Sequence, residues 1–198
     1  MKEQRVREII SEMVSKKQAY LLDLSGHHGA SADFEWKDQV LLKQGGETNC
    51  VGATTELLFR ILKEEGFEDV LSFDDMKDLL SYCFVHDYED RLWGVAKGIE
   101  VFGLGVAVQS FDELRFGDFG QLWHINKNLP KGIGRRNSHY LGHSVMFTSR
   151  TGENLEFIEH FSAADASNGM GFRELLANRK FETGHQRQWR FSRLSCIE

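Results

Sequence analysis

The hydrophobic period of this chain changes once, near Gly103, and that change narrows the folds open to it. Before it, apolar residues recur three and four apart. Val6, Ile9, Ile10, Met13 and Val14 do so within residues 3–21, and Leu57, Ile61 and Leu62 within 50–65; further helical stretches fall at Phe73–Cys83 and Asp90–Phe102. After it come short aromatic or β-branched runs bounded by Gly, Asn or Asp: 103–109, 119–125, 144–148, 155–161 and 188–194. Helices first and strands second predict an α+β fold with helices packed on an antiparallel sheet. The chain has 198 residues and 41% hydrophobic content, enough for one domain with a full core. Its single proline, Pro130, leaves the turns to glycine.

Several function classes are set aside by composition. No apolar run approaches the ~18 residues that cross a bilayer. Residues 1–8 lack the apolar segment of a secretory signal, so the expectation is synthesis in the cytoplasm with any export by a signal-independent route. Net charge of −6 argues against nucleic acid as a partner. The C-terminal run Arg173, Arg179, Lys180, Arg187, Arg190 and Arg193 is the local exception, a solvated face or a contact for an anionic ligand. Three cysteines, Cys50, Cys83 and Cys196, are too few and odd in number for a disulfide framework, which makes reduced thiols the expectation. No metal or cofactor is expected: His27-His28 has no nearby residue to complete a ligand set. His139 and His143 have a helical zinc spacing, but Gly142 and the β-rich residues after it oppose a helix.

The stretch Gln44-Gly45-Gly46-Glu47-Thr48-Asn49-Cys50 carries the chemistry. Thr48 or Asn49 serves as N-cap and Gly66 as the stop of a helix over about 50–65, which places Cys50 in its first turn. Unpaired N–H groups and the positive end of the helix dipole there stabilise a thiolate. The alternative is a packed cysteine acting as a small hydrophobe. Cys83 and His86 are expected to be packing residues.

A base for that thiol is supplied by Gly142-His143-Ser144-Val145-Met146-Phe147, a histidine at the start of a strand after a glycine. The strands around Thr151-Gly152-Glu153-Asn154 form a hairpin. With Thr151-Gly152 as its turn, His143 faces His160, the preferred third residue; a shift of register would present Glu159 instead.

Cys50 at a helix start, the segment Leu114-Arg115-Phe116-Gly117-Asp118, and the Gly142-His143 strand followed by a strand with a polar residue resemble the NlpC-type branch of papain-like cysteine peptidases. The resemblance covers residues 44–162, with 1–21 as an amphipathic N-terminal helix and 163–198 as a C-terminal strand and helix extension. Asn49, Val51 and Ser144 depart from the family pattern, and the insert from Asn126 to Tyr140 is long. The resemblance implies a Cys50–His143–polar triad and, through the Gln-Gly shared with papain, Gln44 as an oxyanion donor. It also implies hydrolysis of an amide bond, typically in a peptidoglycan stem peptide. Another thiol peptidase or an acyl transferase could use the same residues. From a different class stands a binding or immunity-type module with a structural Cys50 and its N-terminal helix as a partner interface.

Overall fold

The computed structural model describes residues 1–20, 29–84, 94–126, 140–152, 154–160, 170–176 and 185–197; for residues 20, 123–126, 140–142, 154, 158–160, 170–176 and 185–188 only the backbone is described. Helix α1 (Glu3–Ser15) buries Val6, Ile9, Ile10 and Met13 to 3% exposure or less. These are the residues whose spacing predicts the helix, and they join the chain's own core beside Leu57, Leu58 and Ile61. That apolar face is therefore occupied, which corrects the expectation of a partner interface there. The helix ends six residues early, since Lys17 takes a left-handed conformation (φ 50°) and Ala19–Tyr20 forms strand β1.

A tight hairpin follows, β2 (Phe34–Trp36) and β3 (Gln39–Leu42), turned by Lys37 and Asp38 at φ 49° and 60°. Lys-Asp is not a strong turn signature, and the sequence reading treats this stretch only as a lead-in to the Gln44 loop. Trp36 has no exposed surface and donates its indole N–H to the Leu71 carbonyl at 3.0 Å.

Strand β4 (Glu47–Thr48) pairs in parallel with β1 and leads into α2 (Cys50–Glu64). This entry is clasped tightly. Gln18 donates its amide to the carbonyls of Gly45 and Gly29, and a Cβ on Gly29 would come within 2.4 Å of the Gly45 Cα, so only glycine fits the crossing. Asn49 is the N-cap, its Oδ1 accepting the Gly52 N–H at 2.8 Å, and Gly66 (φ 77°) ends the helix beyond Glu65. Asn49→Ala is expected to cost about 1 kcal/mol in urea unfolding.

Helices α3 (Phe73–Phe84) and α4 (Gly94–Val101) complete the helical part described. Strands β5 (Gly105–Val108), β6 (Phe119–Asn126), β7 (Tyr140–Thr151), β8 (Asn154–His160), β9 (Met170–Leu176) and β10 (His185–Leu194) form one antiparallel sheet in the order β5-β10-β6-β7-β8-β9. Its side-chain alternation divides the core. Phe119, Met146 and Leu194 face the helices, while Val145, Phe147, Phe157 and Phe191 join Leu114 in a second cluster on the opposite face. Strand β9 has no counterpart among the expected strands, because Glu174-Leu175-Leu176 lacks β-branched residues.

Two ion pairs tie β10 to the rest. Arg190 binds Glu100 of α4 through Nε (2.8 Å) and Nη2 (2.5 Å), and Arg193 grips Asp118 in the same two-pronged way at 2.8 and 2.7 Å. These two arginines of the C-terminal run hold the fold together, and the anion contact is not their role. Arg179 and Lys180, and the side chains of Arg173 and Arg187, lie outside the described residues. Burial opposes the charge on Glu100, but hydrogen bonds from Arg190, Ser192 and Lys97 outweigh it and hold its pKa at about 2. A carboxyl depressed in the folded state stabilises above its ordinary range near 4.5 and stops doing so as pH falls through about 2. We expect Tm to drop over that window, and to drop less in Glu100→Gln.

Candidate active site

The first turn of α2 meets strand β7. The β7–β8 ladder ends at Met146–Ile158, so residues 143–145 lack a β8 partner. On the other side, the Phe147 N–H donates to the Asp118 carbonyl beside β6. Amide direction alternates along a strand, which turns the Ser144 N–H toward the edge left open by β8. Cys50 docks there. The Ser144 N–H and the Val51 N–H both donate to its sulfur, and His143 hydrogen-bonds to it from a half-buried position.

These contacts set the thiol's acidity. Burial to 5% exposure disfavours a thiolate, but the charge and hydrogen bond of His143, with the two backbone N–H groups, outweigh it and lower the Cys50 pKa. The other two cysteines move the opposite way: burial pushes Cys83 up to about 12, and burial together with Glu65 raises Cys196. Cys83 is a packing residue, as its helical position predicts.

Ser144, a polar residue within a buried strand, is explained by its neighbour. It has no exposed surface and donates its hydroxyl to Gln121 Oε1 at 2.5 Å, directly across the β6–β7 ladder. The pair satisfies polar groups that would otherwise be orphaned beneath α2, and it steadies the strand whose N–H meets the thiol. Asp118, of the Gly-Asp motif, is fully buried on Arg193 and the Arg115 N–H, a structural post at the start of β6.

Two expectations need correction. Thr151 pairs with Asn154, which displaces the Thr151-Gly152 turn, and a bulge between Phe147 and Ser149 shifts the ladder once more. The last pair is Met146–Ile158, so the direct His143–His160 pairing does not form. The side chains of His160 and Glu159 lie outside the described residues. Gln44, expected beside the thiol, is exposed; its backbone N–H binds Asp33 Oδ1 at 2.6 Å, and it lines a cavity with Gly52 and Thr55 on the face of α2 away from Cys50. His27, His28, His86 and His139 fall outside the described residues, as do Lys127, Lys131, Arg135 and Arg136, the basic residues of the long insert before His143. Among the described residues no group of three His, Cys, Asp or Glu is arranged to hold a metal, and no helix is long and apolar enough to cross a membrane.

Compared with protein families, with curated proteins and with solved structures, the chain matches none.

Proposed function

We propose that this chain is a cysteine hydrolase cleaving an amide bond, built as a variant of the NlpC-type, papain-like plan. One observation carries the reading: a cysteine at a helix N-terminus, in hydrogen-bond contact with a strand histidine, has its pKa lowered while the other two thiols are raised. In this mechanism His143 takes the Cys50 proton and the thiolate attacks the carbonyl carbon. As the C–N bond breaks, protonated His143 gives its proton to the leaving amine. Water, deprotonated by His143, then splits the thioester, releasing the acid and restoring the thiol. The Cys50 backbone N–H is the first-turn donor offered to the developing oxyanion, in place of Gln44.

For the third residue, the register favours Glu159 over His160. Glu159 is the next residue of β8 after the last β7 pair, Met146–Ile158, and a carboxylate orients an imidazolium by its charge. The substrate class we infer is a peptidoglycan stem peptide. A packed, non-catalytic Cys50 in a binding module is the second reading, favoured by its 5% exposure. Incubation with peptidoglycan fragments and with casein, followed by mass spectrometry of the products, separates these readings. Cleavage of stem peptides alone supports the cell-wall assignment, casein cleavage moves the protein to general peptidases, and no cleavage of either supports the binding module.

A further inference from the structure

Strand β5 is one edge of the six-stranded sheet and pairs only with β10. The Ser195 N–H donates to the Leu104 carbonyl at 3.0 Å, and this fixes the direction of the amides that follow. Direction alternates along a strand, so residues 106 and 108 turn their amides to β10, while Gly105 and Ala107 turn theirs outward. Among the described residues no partner meets these outward groups. The open stretch is closed at both ends: the Gly103 N–H donates to the Glu100 carbonyl at 3.1 Å, and the Gln109 N–H to Glu113 Oε2 at 3.3 Å.

An edge that is to stay single is usually protected by charge or proline. Strand β9, at the other end of the sheet, has Arg173 and Glu174 in its sequence. Strand β5 reads Gly-Val-Ala-Val and has neither device. Between its two outward positions stands Val106, an apolar side chain 62% exposed.

We propose that β5 is a homodimer interface, at which a second copy of this chain adds its own β5 antiparallel about a two-fold axis through Val106. With the axis there, Gly105 stands opposite Ala107 of the copy and Ala107 opposite its Gly105. Each of these two pairs exchanges two N–H···O bonds, so every outward amide is satisfied. Val106 meets Val106 of the copy as the non-hydrogen-bonded pair, where side chains approach most closely, and each covers the other's exposed surface. An axis through Gly105 or Ala107 would set an outward amide against the Gly103 or Gln109 N–H, which is already engaged. The edge therefore specifies its own complement. A free peptide would have to be ordered for the same bonds, whereas a second folded copy arrives with its strand formed. The interface does not depend on the amide-hydrolase reading, since β10 and β6 lie between β5 and β7.

Sedimentation equilibrium of the full chain up to about 1 mM tests this. We expect a monomer–dimer equilibrium with Kd on the order of 10⁻⁴ M, the weak association of a small interface. Ala107→Pro removes an outward N–H without touching the inner ladder, and Val106→Lys places two charges on the axis. Each should raise Kd at least about tenfold with the circular dichroism unchanged, while Val70→Lys, at a 76% exposed position elsewhere, should not. Val106→Cys, oxidised with copper–phenanthroline, should yield a covalent dimer whose peptide map joins position 106 to position 106, because a non-hydrogen-bonded pair brings Cβ atoms within disulfide reach. Gln109→Cys treated alike should not crosslink to itself. A chain that stays monomeric at 1 mM, with no 106–106 crosslink, would overturn the proposal. So would a dimer that survives both Ala107→Pro and Val106→Lys, since its interface would lie elsewhere.

Discussion

His143→Ala is expected to lower kcat for amide hydrolysis by roughly 10²–10⁴-fold, the range a positioned acid–base group supplies. Cys50→Ala should remove the thiol-dependent rate completely. Because the two act as one unit, the double variant should be no worse than Cys50→Ala alone. The pairing of β7 with β8 adds a sharper expectation. With Glu159 directly after the last β7–β8 pair, Glu159→Gln should be more damaging than His160→Ala. The reverse order would restore His160 as the orienting residue. Full activity in His143→Ala would remove the mechanism.

Asp118→Ala should be among the most destabilising single changes in the chain, at about 3–5 kcal/mol, since it removes a fully buried carboxylate from an arginine that keeps only the backbone carbonyl of Glu113 among its described hydrogen bonds. The loss reaches further than the ion pair. The Asp118 carboxylate also accepts the Arg115 N–H, which fixes the turn into β6. Urea unfolding followed by circular dichroism measures the cost. Asp118→Leu combined with Arg193→Met should recover most of it, because a well-packed apolar pair can replace a buried ion pair at little net cost. Recovery absent from the double variant would mean that the Arg115 contact, not the charge, is what the fold requires.

Much of this architecture was legible because local physics and the final fold agree. The stripe on α1, the cap at Asn49, the stop at Gly66 and the alternating runs of β6, β7, β8 and β10 all follow from spacing and propensity, and each is found where those place it. The Cys50–His143 contact was legible only in kind. A helix start and a strand start advertised the chemistry, but 93 residues separate them, and only the open edge of β7 brings them together. What escaped depends on tertiary context. Strand β9 is held by its ladder to β8 despite a weakly β-forming sequence, and the Lys37-Asp38 turn takes left-handed angles without glycine. The one-residue error at the β7–β8 hairpin has a simple source. Thr151-Gly152 and Gly152-Glu153 are equally acceptable turns on paper, and the bulge before Ser149 leaves no mark in residue type. Gln44 misled for a related reason: its Gln-Gly pair ahead of Cys50 resembled that of papain, but the loop carrying it lies against the far side of α2.

The pH dependence of alkylation at each cysteine tests the proposed nucleophile most directly. Purified protein is treated with iodoacetamide from pH 5 to 10, and the three cysteine peptides are quantified by mass spectrometry. A thiol reacts as its thiolate, so the midpoint of each rate profile reports that cysteine's acidity. The structure leads us to expect Cys50 to be labelled first, with a midpoint below that of an ordinary thiol, and to lose that advantage in His143→Ala. Cys83 should stay unreactive until near pH 12 or until the fold opens, and Cys196 should follow an upward-shifted profile. Labelling of Cys50 at or below the rate of Cys196 at pH 6 to 7, unchanged by His143→Ala, would contradict the nucleophile and leave a packed cysteine in a binding module.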